Sequence, residues 1–214
     1  VTLGVLFDLD GTLADTAPDL GAALNTLLQR YGRNALPLEQ IRPWVSQGAR
    51  GLLSAGFGIK PGEPFFDELR DEFLQLYQQD LANHTQLFSD IPPLLDILDQ
   101  RQIPWGIVTN KLMRYTDPLV AALGLDTRAG CVVSGDSFDR PKPWPDPLLG
   151  AAELLGIEPS SLVYVGDDER DMQAAQAAGM PGIVAGYGYL GGGNPHLWNS
   201  VAVIANPLEL LNHL

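Results

Sequence analysis

The sequence predicts an α/β protein, a Rossmann-like open parallel sheet interrupted after its first strand by an all-helical insertion. Three observations carry this expectation. Short apolar runs of strand length recur at residues 3–7, 105–109, 131–134, 162–165, 182–185 and 201–204. Amphipathic stretches of helical period separate the later ones, the pattern of a parallel sheet with helices on both faces. Between residues 14 and 100 the helical period persists and no strand is expected.

The first run, residues 3–7, stops at Asp8-Leu9-Asp10-Gly11 and reads as a buried strand ending in a turn. In the helix that follows, Asp15 or Thr16 can serve as cap and Pro18 suits the first turn. Leu20, Leu24, Leu27, Leu28 and Tyr31 repeat at helical spacing, and Gly32 can end the helix. Residues 38–56 read as two short helices broken at Gln47-Gly48. A longer helix over 64–81 puts Phe66, Leu69, Phe73, Leu76 and Tyr77 on one face. The later helices are expected over 92–101, 113–123, 147–155 and 169–178, the last three stopped by Gly124, Gly156 and Gly179, with a further helix at the end of the chain. The division that follows is a sheet-containing core of residues 1–14 and 88–214 and an inserted helical domain of residues 15–87, with hinges near 13–16 and 80–90. Gly191-Gly192-Gly193 reads as a flexible loop, because no helix start follows it to make a phosphate cradle.

A chain of 214 residues can bury one full core with a smaller appended unit. Its net charge of −13 disfavours nucleic acid and anionic membrane as partners. An anionic small substrate would need a cation and a few local basic groups to offset that field. The single cysteine, Cys131, has no internal partner and sits in an apolar run, so a buried structural role is expected. The apolar run at the start is too short for a signal peptide or membrane span, and a cytoplasmic monomer is the expectation.

Four strand ends carry polar clusters: Asp8-Leu9-Asp10-Gly11-Thr12, Thr109-Asn110-Lys111, Arg140-Pro141-Lys142-Pro143 and Gly166-Asp167-Asp168-Glu169-Arg170-Asp171. In an open parallel sheet all such ends lie on one edge, where ligands bind. Clustered carboxylates require a cation to stay ionised together, and Asp and Glu oxygens are what magnesium prefers. A lysine and a hydroxyl beside them suit a bound phosphate. Singly, each cluster has a plain alternative: an Asx-turn, a turn with a helix cap, a solvated loop lysine, an acid-rich first helical turn. Their joint occurrence at four strand ends favours a site.

In this order and spacing the four clusters resemble the motifs of the haloacid dehalogenase superfamily, over nearly the whole chain. The resemblance implies a Mg2+-dependent phosphatase acting on a small phosphorylated metabolite. It implies Asp8 as nucleophile and Asp10 as general acid and then base. It further implies that Thr109, Asn110 and Lys142 hold the phosphoryl oxygens, and that Asp8, the Asp10 main-chain carbonyl and Asp167 hold the metal. Asp171 would orient metal-bound water. Asp168 stands where many relatives have serine, so it either joins the metal's outer shell or caps the following helix, and the cap is favoured.

The insertion would choose the leaving group. Its stretch Val45-Ser46-Gln47-Gly48-Ala49-Arg50-Gly51 suggests a loop over the site, with Gln47 and Arg50 as specificity residues and Arg50 binding a carboxylate. A solvated helix-end arginine is the plain alternative. More narrowly, Gln47-Gly48-Ala49-Arg50, residues 87–95, and Tyr187-Gly188-Tyr189-Leu190 with Asn194-Pro195 and Trp198 resemble phosphoglycolate phosphatases. Within these the likeness is to N-acetylmuramic acid 6-phosphate phosphatases of cell-wall recycling, and the latter substrate is the preferred expectation. A sugar-phosphate mutase shares all four motifs, but no matching set of cap residues is identified. A metal-independent dehalogenase is disfavoured by Asp10 and Asp167. A phospho-accepting receiver would carry its acid on a middle strand, and a metal-binding protein would not require Asp10 or Lys142.

Overall fold

The protein, described over residues 2–214 by a computed structural model, places its first strand in the middle of its sheet. β1 (Gly4–Phe7) is followed by β2 (Ala14–Asp15), then α1 (Ala17–Arg30), α2 (Leu38–Ile41), a 3-10 segment (Arg42–Gln47), α3 (Gly48–Phe57), α4 (Phe66–Gln79) and β3 (Gln86–Leu87). The remainder alternates: α5 (Ile91–Gln100), β4 (Trp105–Val108), α6 (Met113–Ala122), β5 (Val132–Val133), α7 (Asp146–Leu155), β6 (Leu162–Gly166), α8 (Glu169–Ala178), β7 (Gly182–Ala185) and β8 (Ala202–Ile204). The six-stranded sheet has the order β5-β4-β1-β6-β7-β8, and each of its pairings is parallel.

Alternation along the strands supplies both faces. Val5 and Phe7 point to one side with Ile107, Val163 and Val165, where Leu94, Leu95 and Leu98 of α5 and Leu119 of α6 cover them. Leu6 points to the other with Val108, Leu162 and Tyr164, beneath Leu148 and Ala151 of α7 and Ala174 and Ala175 of α8. Cys131 lies on this second face, buried and unpaired. β1 is thus enclosed on both faces and both edges. The chain steps outward to β4 and β5 on one side and to β6, β7 and β8 on the other. The strand order reverses at β1, so the crevice at its carboxyl end is the ligand position of such sheets.

Four sequence expectations are corrected. The first is that the window 14–100 does hold strands. β2 and β3 pair antiparallel through Ala14↔Leu87 and Asp15↔Gln86, each too short to show a period. Second, Thr16 stands at the start of α1, but its side chain makes no capping bond; it turns instead to Asp10. Third, Tyr31 is exposed rather than part of the buried stripe, its ring edge-on to Phe57 and its hydroxyl donating to Glu72. Fourth, the end of the chain forms 3-10 turns over Pro207–His213 rather than an α-helix. The Gly191 segment likewise holds one 3-10 turn, Leu190–Gly192, packed against Arg42–Gln47.

The helical block between β2 and β3 packs mainly through α1 and α4. Leu20, Leu24, Leu27 and Leu28 of the one meet the buried stripe of Phe66, Leu69, Phe73, Leu76 and Tyr77 of the other. Asp19, only 2% exposed, ties α1 to the returning chain. Its carboxylate accepts the N–H of His84 (3.0 Å), the N–H of Thr85 (2.8 Å) and the Thr85 hydroxyl (2.7 Å). Removing it leaves those donors without their acceptor, so Asp19→Ala is expected to cost about 2–4 kcal/mol, and Asp19→Asn less, because an amide oxygen still accepts. Urea denaturation of both variants measures this; a loss under about 0.5 kcal/mol for Asp19→Ala would show that the carboxylate does not hold the junction.

Candidate active site

Asp8 follows β1 directly, and its N–H still donates to the Val165 carbonyl (2.8 Å), so its carboxylate leaves the sheet edge in a fixed direction. One carboxylate oxygen lies 2.9 Å from the Lys142 ammonium. That ammonium also reaches Asp171 Oδ1 (2.7 Å), and donates to the Tyr164 hydroxyl (2.7 Å) and the Val108 carbonyl (3.0 Å). Lys142 sits in a loop between two prolines, yet it is held in place. Its N–H donates to Asn110 Oδ1 (3.0 Å), and Asn110 Nδ2 donates back to its carbonyl (2.9 Å). Thr109 lies beside Asn110 at the end of β4, its hydroxyl oxygen accepting the Lys111 N–H (3.1 Å).

Asp167 follows β6 and is fully buried. Its Oδ2 accepts the Tyr189 N–H (2.8 Å) and the Ser46 hydroxyl (3.0 Å), and its Oδ1 a longer bond from the Thr12 hydroxyl (3.3 Å). Two glycines make room for these acids. Gly11 has φ +85°, and a Cβ there would strike the Asp167 carboxylate; a Cβ at Gly166 would strike Asp171. Asp171 sits in the first turn of α8, its Oδ2 accepting the Asp168 N–H (3.0 Å). Asp168 accepts the Arg170 N–H in return, completing a capping box, and pairs with the Arg170 guanidinium. Asp168 therefore lies outside the acid cluster as a helix cap.

Asp10 stands apart from that cluster. Its Oδ1 accepts the Thr16 hydroxyl (2.6 Å) and the Lys111 ammonium (2.8 Å). Oxygens of Asp8, Asp167 and Asp171 lie within 4.8 Å of one another. Burial, reinforced by Asp171 and Asp10 and opposed by Lys142, pushes the Asp8 carboxyl up to about 7. Burial and the charges of Asp8 and Asp171 raise Asp167 well above the carboxylate range. Burial alone would discharge Lys142, but Asp171 and Asp8 outweigh it and keep the ammonium charged. Three buried carboxylates against one ammonium, all oxygen donors, are a fitting set for a hard divalent cation.

A cavity of about 430 Å³ opens over these groups. Its floor is Asp8, Asp10, Thr109, Asn110, Lys111 and Lys142; its roof is Leu20, Val45, Ser46, Gln47, Phe73 and Tyr77 from the helical block. Gln47 lines this cavity as expected of a specificity residue, but Arg50 does not. It lies on α3, one residue past the cavity-lining Ala49, and that rotation turns it into a neighbouring cleft with Gln173, Arg170 and Trp198. The loop predicted to carry it is instead the first turn of a helix beginning at Gly48. Several contributors escaped sequence reasoning. Ser46, Thr12 and Tyr189 gather on Asp167, Thr16 and Lys111 on Asp10, and Tyr164 on Lys142. Thr12 and Lys111 stood inside polar clusters legible in the sequence; Ser46 and Tyr189 lay in stretches singled out there, but with no role assigned to either.

Comparison with known proteins agrees with this geometry. The family described as haloacid dehalogenase-like hydrolase matches residues 5–185. An N-acetylmuramic acid 6-phosphate phosphatase of Pseudomonas putida is 39% identical over 96% of this chain and 93% of its own. A phosphoglycolate phosphatase of Xanthomonas campestris pv. campestris is 41% identical over the same shares, 96% and 93%. Among solved structures, a predicted phosphoglycolate phosphatase from Haemophilus somnus superposes with a TM-score of 0.87 at 24% identity, covering 99% of this chain and 97% of that one, a likeness of fold.

Burial of Asp8 has a consequence for stability in the absence of divalent cations. An unfolded Asp8 ionises near 3.8 and the folded one near 7, so between those values the folded state holds a proton that the unfolded state has released. Stability is therefore expected to fall as pH rises from about 4 to about 7, by at most about 1.4 kcal/mol per pH unit per group, and to level off above. Asp167 acts in the same direction. Melting temperatures of chelated protein should show this decline, and Asp8→Asn should flatten it; equal slopes in both proteins would contradict the assignment.

Proposed function

This chain belongs to the haloacid dehalogenase-like hydrolase family, and we propose that it is a magnesium-dependent phosphomonoesterase working through an aspartyl phosphate on Asp8, with N-acetylmuramic acid 6-phosphate as its preferred substrate. The observation that carries the chemistry is the Asp8–Lys142–Asp171 group facing a cavity with Asp10 on the same floor. The helical block of residues 15–87 acts as a cap over a core of residues 1–14 and 88–214.

Asp8 attacks phosphorus in line, forming the acyl phosphate as the bond to the leaving alcohol breaks. The Thr109 hydroxyl, Asn110 N–H and Lys142 ammonium take the phosphoryl oxygens, which Lys142 reaches from the side on which it already holds Asp8. Asp10 gives its proton to the departing alkoxide, then withdraws one from the water that cleaves the acyl phosphate. Thr16 and Lys111 occupy its Oδ1, leaving Oδ2 for this exchange. Asp8, Asp167 and the Asp10 carbonyl would hold the magnesium ion, which supplies positive charge for the phosphoryl oxygens and the acid cluster. Both oxygens of Asp171 are engaged, by Lys142 and by the Asp168 N–H, which suits a supporting position behind the ion.

The cavity favours the larger candidate. Its volume of about 430 Å³ is in the range of sites that enclose drug-sized ligands, and a two-carbon glycolate would leave most of it to water. Leu74 and Tyr115 offer apolar surface to the carbon face and acetyl group of an amino sugar.

Asp8→Asn is expected to lower phosphate release from an aryl phosphate by roughly a million-fold with the fold retained, since the amide keeps the shape and loses the nucleophile. Circular dichroism and turnover of rigorously purified variant test this; substantial residual activity would sink the role of Asp8. Exhaustive chelation should silence the wild type and magnesium restore it, with calcium a poor substitute because of its looser shell. Undiminished turnover after chelation would refute the metal dependence. Comparing kcat/KM on N-acetylmuramic acid 6-phosphate and 2-phosphoglycolate tests the substrate, and preference for the smaller acid would overturn that part.

A further inference from the structure

With Arg50 turned away, the carboxylate expected on the substrate needs another receiver, and the cavity wall holds a group whose position is otherwise unexplained. Tyr77 of α4 is 2% exposed and lines the cavity, yet its hydroxyl is buried with no hydrogen-bond partner among the described residues. Phenylalanine would fill the same space without stranding a polar atom. The Lys111 ammonium lies 4.9 Å from the centroid of that ring, close enough for the phenol to favour its charge. Its side chain is 8% exposed, and it too lines the cavity.

The other cations of the cavity are engaged. Lys142 is divided among Asp8, Asp171, Tyr164 and the Val108 carbonyl; Arg70 pairs with Asp67 and Asp71; Arg170 pairs with Asp168 and donates to the Ser46 carbonyl. Lys111 donates one hydrogen bond, to Asp10, out of the three an ammonium can make. Burial works against its charge, but Asp10 outweighs burial and holds it cationic. A donor-only ammonium beside an unpartnered phenol calls for a ligand that accepts from both, and a carboxylate has acceptor sites to spare.

We propose that Lys111 and Tyr77 together bind the carboxylate of the substrate, the ammonium taking one oxygen and the phenol O–H the other. This rests on the phosphomonoesterase reading and assigns its specificity to α4 and the residue after Asn110. The phosphate end lies on Asp8 and Lys142, so the substrate's two anionic ends are received by two different lysines with Asp10 between them.

The test measures kcat and KM for wild type, Tyr77→Phe and Lys111→Met on N-acetylmuramic acid 6-phosphate and on N-acetylglucosamine 6-phosphate, the same sugar without the carboxylate-bearing ether. Thermal melts accompany the kinetics. Tyr77→Phe should melt no lower than wild type, because the lost hydroxyl has no partner. Its kcat/KM on the carboxylated sugar should fall roughly 10- to 100-fold, through KM, while the neutral sugar changes by less than about threefold. Lys111→Met should slow both substrates, since it also touches Asp10, but the carboxylated one more, shrinking the wild-type preference. Equal losses of Tyr77→Phe on both sugars, or an unchanged rate with a raised melting temperature, would overturn the proposal while leaving the phosphatase intact. A wild type that favours the neutral sugar would do the same, whereas one that releases phosphate from no ester would remove the phosphatase reading itself and the proposal with it.

Discussion

Three carboxylates buried around one ammonium constrain everything at the carboxyl edge of this sheet. At an effective dielectric of about 20, two unit charges 4.8 Å apart repel by about 3 kcal/mol, and Asp8, Asp167 and Asp171 make up to three such pairs. Lys142, 2.7–2.9 Å from two of them, offsets much of that but does not touch the third. Burial first, and the remaining repulsion after it, raise both Asp8 and Asp167. The surrounding structure serves to hold this unfavourable arrangement in place. β1 and β6 fix where the acids leave the sheet, Gly11 and Gly166 let them approach, and the Asn110 amide pins the lysine loop. Strained charge of this kind clusters at functional sites, which supports the assignment proposed for these acids.

The same constraint answers how a chain of net charge −13 can receive a phosphate. Each acid of the cavity that has a cation beside it presents that cation to the ligand as well. Lys142 stands with Asp8, Lys111 with Asp10, and Arg170 with Asp168 at the rim. Ligand oxygens therefore meet cations whose positions are set by fixed carboxylates. The overall negative field acts over longer distances and is screened within about 8 Å at physiological salt.

How much of this the sequence discloses follows from the range of each interaction. The six core strands were legible because apolar runs between helical stretches carry their own period; β2 and β3 were not, since two residues carry none. The convergence of Asp8, Lys142 and Asp171 was legible because strand ends of a parallel sheet share an edge. The Tyr164 hydroxyl beneath Lys142 was not, because in sequence it is one apolar strand residue among others. Ser46 reaches Asp167 across 121 residues, a pairing that no local pattern encodes. Thr16 read as a helix cap because its position allows that, and only the fold shows its hydroxyl spent on Asp10. Arg50 was misplaced for a related reason. Glycines flanking it suggested a loop, whereas α3 begins at Gly48, and helical geometry puts neighbours about 100° apart. Tyr77 was correctly read as part of a buried stripe, but the period of a helix says nothing about where a phenol oxygen ends.

The acid cluster and the apolar wall of the cavity come from separate parts of the chain, and a few polar residues join them: Ser46 on Asp167, Thr16 on Asp10, and Lys111. The contacts among Asp8, Lys142, Asp171 and Tyr164 lie entirely among sheet-edge residues. The apolar side of the cavity comes from Leu20 of α1, Val45 of the 3-10 segment, Leu74 and Tyr77 of α4 and Tyr115 of α6, none of them in the acid cluster. A change in α4 can therefore reshape the room for the leaving group without moving the nucleophile. Lys111 makes the link from the core side. Its backbone N–H is bonded to Thr109 on the edge, its ammonium to Asp10, and its charge lies against the ring of Tyr77. In the proposed mechanism, the position of the acid that serves the leaving oxygen is thereby tied to the wall that surrounds the leaving group. A substrate that fits the wall meets Asp10 already oriented, which is how binding of a remote group can act on the reacting centre.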